Sequence, residues 1–152
     1  MRLTQPSDEH FIQLMSWFSS ENELCIWSGP NFRYPFELSS FKSDLNLNIL
    51  KSFSLISSEG ALLAFGQYYL RLGKCHLGRL VVNPSLRGQG IASHLISQLS
   101  VLGKSDLSTE SCSLFVLGHN ESAIQVYTKL GFSMADYPEK MPLENCFYMV
   151  QV

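Results

Sequence analysis

Two glycines, Gly88 and Gly90, stand between an apolar run that ends at Val82 and an amphipathic pattern that begins at Ile91. Asn83-Pro84 interrupts the run, so a strand ends there; Ile91, Leu95, Leu99 and Leu102 then recur at helical spacing. A strand, a glycine turn and a helix start together form an anion cradle. The first N–H groups of a helix lack partners inside it and lie at the positive end of its dipole. Glycine lets a bulky phosphate approach the backbone and accepts φ values that other residues avoid. This stretch points to a cofactor that carries phosphate.

The elements that must hold the cradle follow from periodicity and turn residues. Residues 1–4 read as a short strand, and Ser7 as an N-cap with Asp8 and Glu9 favouring the dipole. Phe11, Leu14, Met15 and Phe18 form a stripe on a helix expected to end near Ser19-Ser20. Residues 21–34 read as irregular, with a turn at residues 28–31. Pro35 can open a short helix carrying Leu38, Phe41 and Leu45. Residues 51–57, 61–71 and 75–82 then read as three strands in succession, the first two joined by a Ser58-Glu59-Gly60 hairpin turn. The helix after the glycine turn is expected to reach about Leu102, with Gly103 as its stop. A strand over residues 111–117 leads to a helix capped by Asn120 and stopped by Gly131. Ala123, Ile124, Tyr127 and Leu130 share one face of it. Strands over residues 132–137 and 146–152 close the chain. The order describes one α/β (α+β) domain over residues 1–152 with a mixed sheet.

Composition narrows the classes. With 45% hydrophobic and 16% charged residues, the chain can bury a substantial core. A net charge of −2 supplies no field for nucleic acid or an anionic membrane. No apolar run approaches the roughly 18 residues of a membrane helix, and the first ten residues lack an apolar signal core. A cytoplasmic protein is expected. Cys25, Cys75, Cys112 and Cys146 are scattered through apolar surroundings without a Cys-x-x-Cys pair, so neither a metal site nor a disulfide framework is expected. The C-terminal strand, rich in Phe147, Tyr148, Met149 and Val150, fits either a pairing across a homodimer or an internal strand.

Two separated motifs resemble those of the GCN5-related N-acetyltransferases (GNAT). Val81-Val82-Asn83-Pro84-Ser85-Leu86-Arg87-Gly88-Gln89-Gly90-Ile91-Ala92 matches that family's pyrophosphate loop, Arg/Gln-x-x-Gly-x-Gly/Ala after a strand. Asn120-Glu121-Ser122-Ala123-Ile124-Gln125-Val126-Tyr127-Thr128-Lys129-Leu130-Gly131-Phe132 resembles its Asn-x-x-Ala-x-x-x-Tyr-x-Lys-x-Gly-Phe motif. The resemblance covers residues 80–132, and the preceding meander has the expected order. It implies a mostly antiparallel twisted sheet flanked by helices, with splayed central strands. The main rival reads Gly88-x-Gly90-x-x-Ser93 as an imperfect dinucleotide turn with Glu110 as its ribose acid. Three preceding strands in meander order, and serine at the third glycine position, weigh against it. A P-loop fails because no Gly-Lys-Ser/Thr follows.

The resemblance implies acetyl-CoA as donor, a primary amine as acceptor (a small molecule or a protein amino group), and direct attack without a covalent enzyme intermediate. The amides of Arg87, Gly88, Gln89, Gly90, Ile91 and Ala92, with Ser93 next, are placed to meet the pyrophosphate. Leu80, Val81 and Val82 would contact acetyl-CoA through their main chain, an N–H near Val82 polarising the thioester carbonyl. Tyr127 lies seven residues after Asn120, two helical turns on, and would protonate the leaving thiolate. Asn120 would serve as both cap and cofactor contact. His76, on the donor-binding strand, is the best side chain on offer as base. Tyr68 or Tyr69, of which alternation allows only one to face the acceptor, and Trp27, Phe32 and Tyr34 are candidate acceptor contacts. The alternative is a non-catalytic acetyl-CoA-binding sensor or scaffold.

Overall fold

The meander is real and forms the middle of the sheet. In the computed structural model, which describes residues Met1–Val152, β2 (Lys51–Ile56), β3 (Leu62–Arg71) and β4 (Lys74–Val82) run antiparallel with short turns between them. β1 (Arg2–Thr4) adds to β2. On the other side β5 (Cys112–Leu117) pairs parallel to β4, and β7 (Cys146–Gln151) lies between β5 and β6 (Phe132–Ala135). The seven strands stand in the order β1-β2-β3-β4-β5-β7-β6. β7 has a ladder partner on each side, which takes up its hydrogen bonds and leaves none for pairing across a dimer. The sheet edges are β1 and β6.

Helices cover both faces, and each face has its own core. α4 (Ile91–Leu107) and α5 (Glu121–Lys129) lie on one face, where Ile91, Leu95, Ile96 and Leu99 close over Ala64, Tyr68, Leu77 and Leu114. α1 (Asp8–Met15), α2 (Glu21–Ser28) and α3 (Leu38–Asp44) lie on the other, where Phe11, Leu14, Leu24 and Phe41 pack on Phe65 and Val81. No helix is long and apolar enough to cross a membrane.

Four helices depart from the sequence expectation. α1 stops at Met15, with Ser16 as C-cap, and Phe18 reaches the second core from outside the helix. Residues 21–28, expected to be irregular, form α2, because Ser20 caps it from Glu23 N–H and two glutamates occupy its first turn. Pro35 precedes α3 without opening it; Glu37 is the N-cap.

Gly103 does not end α4. It is buried inside the helix, and a Cβ there would meet Cys75 Sγ and the Tyr68 ring, the latter at 3.2 Å. The glycine lets α4 lie close on β3 and β4. The helix instead stops at Ser108, whose φ is 54°.

Candidate active site

β4 and β5 are in register only at Cys75–Cys112, His76–Ser113 and Leu77–Leu114. Beyond Leu77, β4 keeps its pairing with β3 and β5 keeps its pairing with β7, so a gap opens between them. The divergence begins at a bulge. Gln67 pairs with Gly78 and Phe65 with Val81, leaving Arg79 and Leu80 opposite Gly66. Arg79 sits there at φ 48°, a left-handed conformation for a non-glycine residue.

After the bulge, Asn83 N–H donates to Leu63 C=O at 2.8 Å. Alternation along an antiparallel ladder then turns the Val82 N–H away from β3 and toward the gap. Leu80 and Val82 pack their side chains on the α4-side core, and Val81 is buried on the opposite face. The side chains hold the strand, and the backbone lines the opening.

The gap leads to the glycine loop. Gly88 and Gly90 have φ of 81° and 78°, and the space where a Cβ would stand is open at both. Gly90 is the N-cap of α4 and provides no side-chain cap. None of the backbone N–H groups of residues 87–93 has a hydrogen-bond partner in the protein. A row of unpaired donors at the start of a seventeen-residue helix is built for an anion. The Arg87 side chain is exposed beside it.

Asn120 caps α5, its Oδ1 accepting from Ala123 N–H at 3.4 Å. Tyr127 packs its ring beside Phe132 at the margin of the core that Leu80, Val82 and Leu86 also border. Its hydroxyl has no hydrogen-bond partner within the protein, and burial pushes its pKa up to about 12.

His76 is not placed to act as a base. It is 2% exposed, with Nδ1 2.8 Å from Ser113 Oγ and its ring against Tyr69 and Phe115. Burial, reinforced by the Arg71 charge, holds its pKa down at about 3. Such a ring stays neutral but takes up protons too weakly to draw one from an ammonium.

The aromatic candidates separate by face. Tyr68 lies under α4, donating to Asp106 Oδ2 at 2.8 Å, so it cannot line an acceptor site. Trp27 stacks on Phe18 and Phe41 within the α1–α3 core, and Phe32 stands edge-on to both Trp27 and Phe41. Tyr34 is at the surface, its hydroxyl 3.4 Å from Ser19 C=O. Tyr69 lies half-buried on the α1–α3 face of the sheet, beside His76.

Two residues the sequence reading passed over share that face. Arg79 Nη1 donates to Gln67 Oε1 at 2.9 Å, and its guanidinium lies 5.0 Å from the Phe32 ring centroid. The Arg71 guanidinium lies over the Tyr69 and Phe115 rings at 5.2 and 5.0 Å. An arginine inside an apolar strand, as in Leu77-Gly78-Arg79-Leu80, was the available signal.

A sheet that parts beside an uncapped glycine loop leaves room for a phosphate-bearing ligand to enter between its strands. A model of the Acetyltransferase (GNAT) family matches residues 12–132, and this chain belongs to that family, an acyltransferase of the GNAT fold. Among solved structures it resembles the PaiA N-acetyltransferase of Thermoplasma acidophilum in complex with coenzyme A (TM-score 0.73, 17% identity, 99% of this chain and 97% of that one). It also resembles the spermidine N-acetyltransferase of Vibrio cholerae in complex with CoA and spermine (0.75, 15%, 98% and 93%). A third is the ribosomal-protein-S18-alanine N-acetyltransferase of Escherichia coli (0.67, 19%, 99% and 92%).

Proposed function

We propose that the protein transfers an acetyl group from acetyl-CoA to a primary amine by direct attack within a ternary complex. The row of unpartnered amides at residues 87–93, opening onto the gap between β4 and β5, carries this reading. Those amides would hold the pyrophosphate, and the pantetheine arm would lie in the gap. There the Val82 N–H meets the thioester oxygen, whose negative charge grows as the amine adds. Asn120 offers its side-chain amide donors to the same molecule, its oxygen being committed to the cap.

The thioester supplies an activated acetyl group. The amine lone pair forms the N–C bond, the C–S bond breaks, and the departing sulfur takes a proton from Tyr127. With a pKa of about 12, Tyr127 is fully protonated at working pH. Transfer to a thiolate whose acid has a pKa near 8.5 is uphill by about 3.5 units before the site's own fields act, so the phenol donates as the C–S bond stretches, and solvent restores its proton. His76 takes no part in deprotonating the amine. Water carries that proton away, which favours acceptors whose amine is neutral in appreciable fraction near pH 7.

Relatives of this fold are named for acceptors as different as spermidine and the alanine of a ribosomal protein, so the fold itself leaves the acceptor open. The four free cysteines support a reducing compartment, the cytoplasm. The test is release of CoA thiol across a panel of amines, with thermal stabilisation by CoA and by NAD(P) measured in parallel. Acetylated amine plus CoA-specific stabilisation is the expected result. CoA stabilisation without any turnover would mark a non-catalytic binding module, and stabilisation by NAD(P) alone would overturn the cofactor.

A further inference from the structure

Part of the α1–α3 face of the sheet, beside the gap, is cationic. Arg79 stands at the bulge where β4 leaves β5, and Arg71 stands farther along the same face at the end of β3. Tyr69 lies between them; burial pushes its hydroxyl's pKa up, while both arginines pull it down. Neither arginine forms an ion pair: the salt bridges in the structure are Arg33–Asp44 and Lys42–Asp8.

Asp44, the acid that acts on Arg79, is already engaged. It accepts from Arg33 N–H, Nε and Nη2 at 2.9, 3.2 and 3.0 Å. Arg79 meanwhile uses Nη1 alone, toward Gln67 Oε1 and Leu45 C=O, leaving Nε and Nη2 without partners. Arg71 reaches only the Tyr137 hydroxyl, at 3.4 Å. Burial lowers the pKa of Arg79, as a desolvated and unneutralised guanidinium requires. A half-buried cation with free donors is costly unless an anion comes to it.

The backbone at Arg79 supports the same reading. An arginine held at φ 48° costs conformational free energy that asparagine or glycine would avoid. From the bulge beside the gap, the guanidinium reaches over β3 to Gln67 Oε1 and Leu45 C=O and lies 5.0 Å from the Phe32 ring centroid. Arg71, fixed in turn over Tyr69 and Phe115, presents a second fork.

Resting on the acetyltransferase reading, we propose that the acceptor carries a carboxylate as well as its amine, and that Arg79 and Arg71 hold that carboxylate while the amine addresses the gap. An amino acid or a short peptide with a free C-terminus fits this face. A polyamine would meet two guanidiniums and no free acid.

The experiment compares each acceptor with its counterpart lacking the carboxylate: lysine with cadaverine, arginine with agmatine, phenylalanine with phenethylamine. Short peptides with a free or an amidated C-terminus form a second arm, which separates free amino acids from peptides as the source. In the better arm, kcat/KM for the carboxylated member is expected to exceed that of its partner by about tenfold or more, the worth of one charge-assisted contact. Arg71→Gln and Arg79→Gln should each collapse that ratio, chiefly through KM. A merely structural arginine would lower both members alike and leave the ratio standing. Arg71, at a strand end, tests the idea even if Arg79→Gln folds poorly. Equal or better use of the decarboxylated amines overturns the proposal. If no amine is acetylated, calorimetry of N-acetyl amino acids and their amides on the CoA-bound protein still decides. Preference for the carboxylate upholds the anion site while the acetyltransferase reading falls, and no preference overturns the site as well.

Discussion

His76 Nδ1 stands 2.8 Å from Ser113 Oγ across the only parallel strand pair in the sheet. The contact lies one residue before the two strands part, with Leu77–Leu114 the last pair in register. The histidine serves as a polar rivet at the vertex of the gap. A proton on this buried ring would leave an unpaired charge at the vertex, so its protonation state bears on stability.

His76 should therefore make the protein acid-labile. Its folded pKa of about 3 lies below the ordinary value of 6.5. Below pH 6.5 the unfolded chain binds a proton that the folded chain refuses, so stability falls as pH falls toward 3. At 1.36 kcal/mol per unit, the loss from this residue is about 2 kcal/mol by pH 5. Urea denaturation at pH 5 and pH 7 reads it. His76→Gln should lose some stability at pH 7 but show a gap between the two pH values smaller by about 2 kcal/mol. An unchanged gap would assign the acid sensitivity elsewhere.

The same protonation states shape the rate. Tyr127 stays protonated well past pH 9, and His76 stays neutral down to acid pH. The rise of kcat/KM with pH should then follow the acceptor's own amine, near 8 for an α-amine and near 10.4 for a lysine-like one. Two acceptors with different amine pKa values should give two different inflections. A common inflection near 6.5 for both would restore an imidazole base.

Tyr127→Phe isolates the proton donor. The hydroxyl bonds to nothing in the protein, so its removal should leave folding stability within about 0.5 kcal/mol. If it protonates the leaving sulfur, kcat falls by roughly 10² or more while affinity for CoA changes little. Stopped-flow thiol detection and CoA titration separate the two quantities. Equal losses in kcat and CoA affinity would make the tyrosine a donor-binding residue.

Local signals carried the sequence reading where they were strong, and it failed where tertiary packing decided. The meander announced itself through turn residues, and the cradle through two glycines ahead of a helical stripe. α2 was missed because it buries only Leu24, too little for a stripe, although Ser20 with Glu21 and Glu23 already spelled a helix start. The role of Arg79 depends on a bulge, a property of the pairing between β3 and β4 that neither strand shows alone. His76 looked suitable by type and strand, but the neighbours that enclose it, Ser113 and Phe115, and the Arg71 charge that adds to the effect of burial, come from other strands.

Gly103 gives this contrast a direct test. Read locally, it is a helix stop, and alanine there would extend or firm the helix. In the fold it lies inside α4 facing β3 and β4, and a Cβ would press on Cys75 Sγ and come within 3.2 Å of the Tyr68 ring. Both neighbours are buried, and Tyr68 is further tied to Asp106. Relief therefore requires α4 to lift from the sheet. Gly103→Ala should cost about 1–3 kcal/mol in urea denaturation, the range for overpacking, despite its better helix propensity. Because α4 begins at the glycine loop, the same shift should weaken CoA binding from a distance of more than three helical turns. A stabilised Gly103→Ala variant with unchanged CoA affinity would mean that the helix rides higher over Cys75 and Tyr68 than the structure places it.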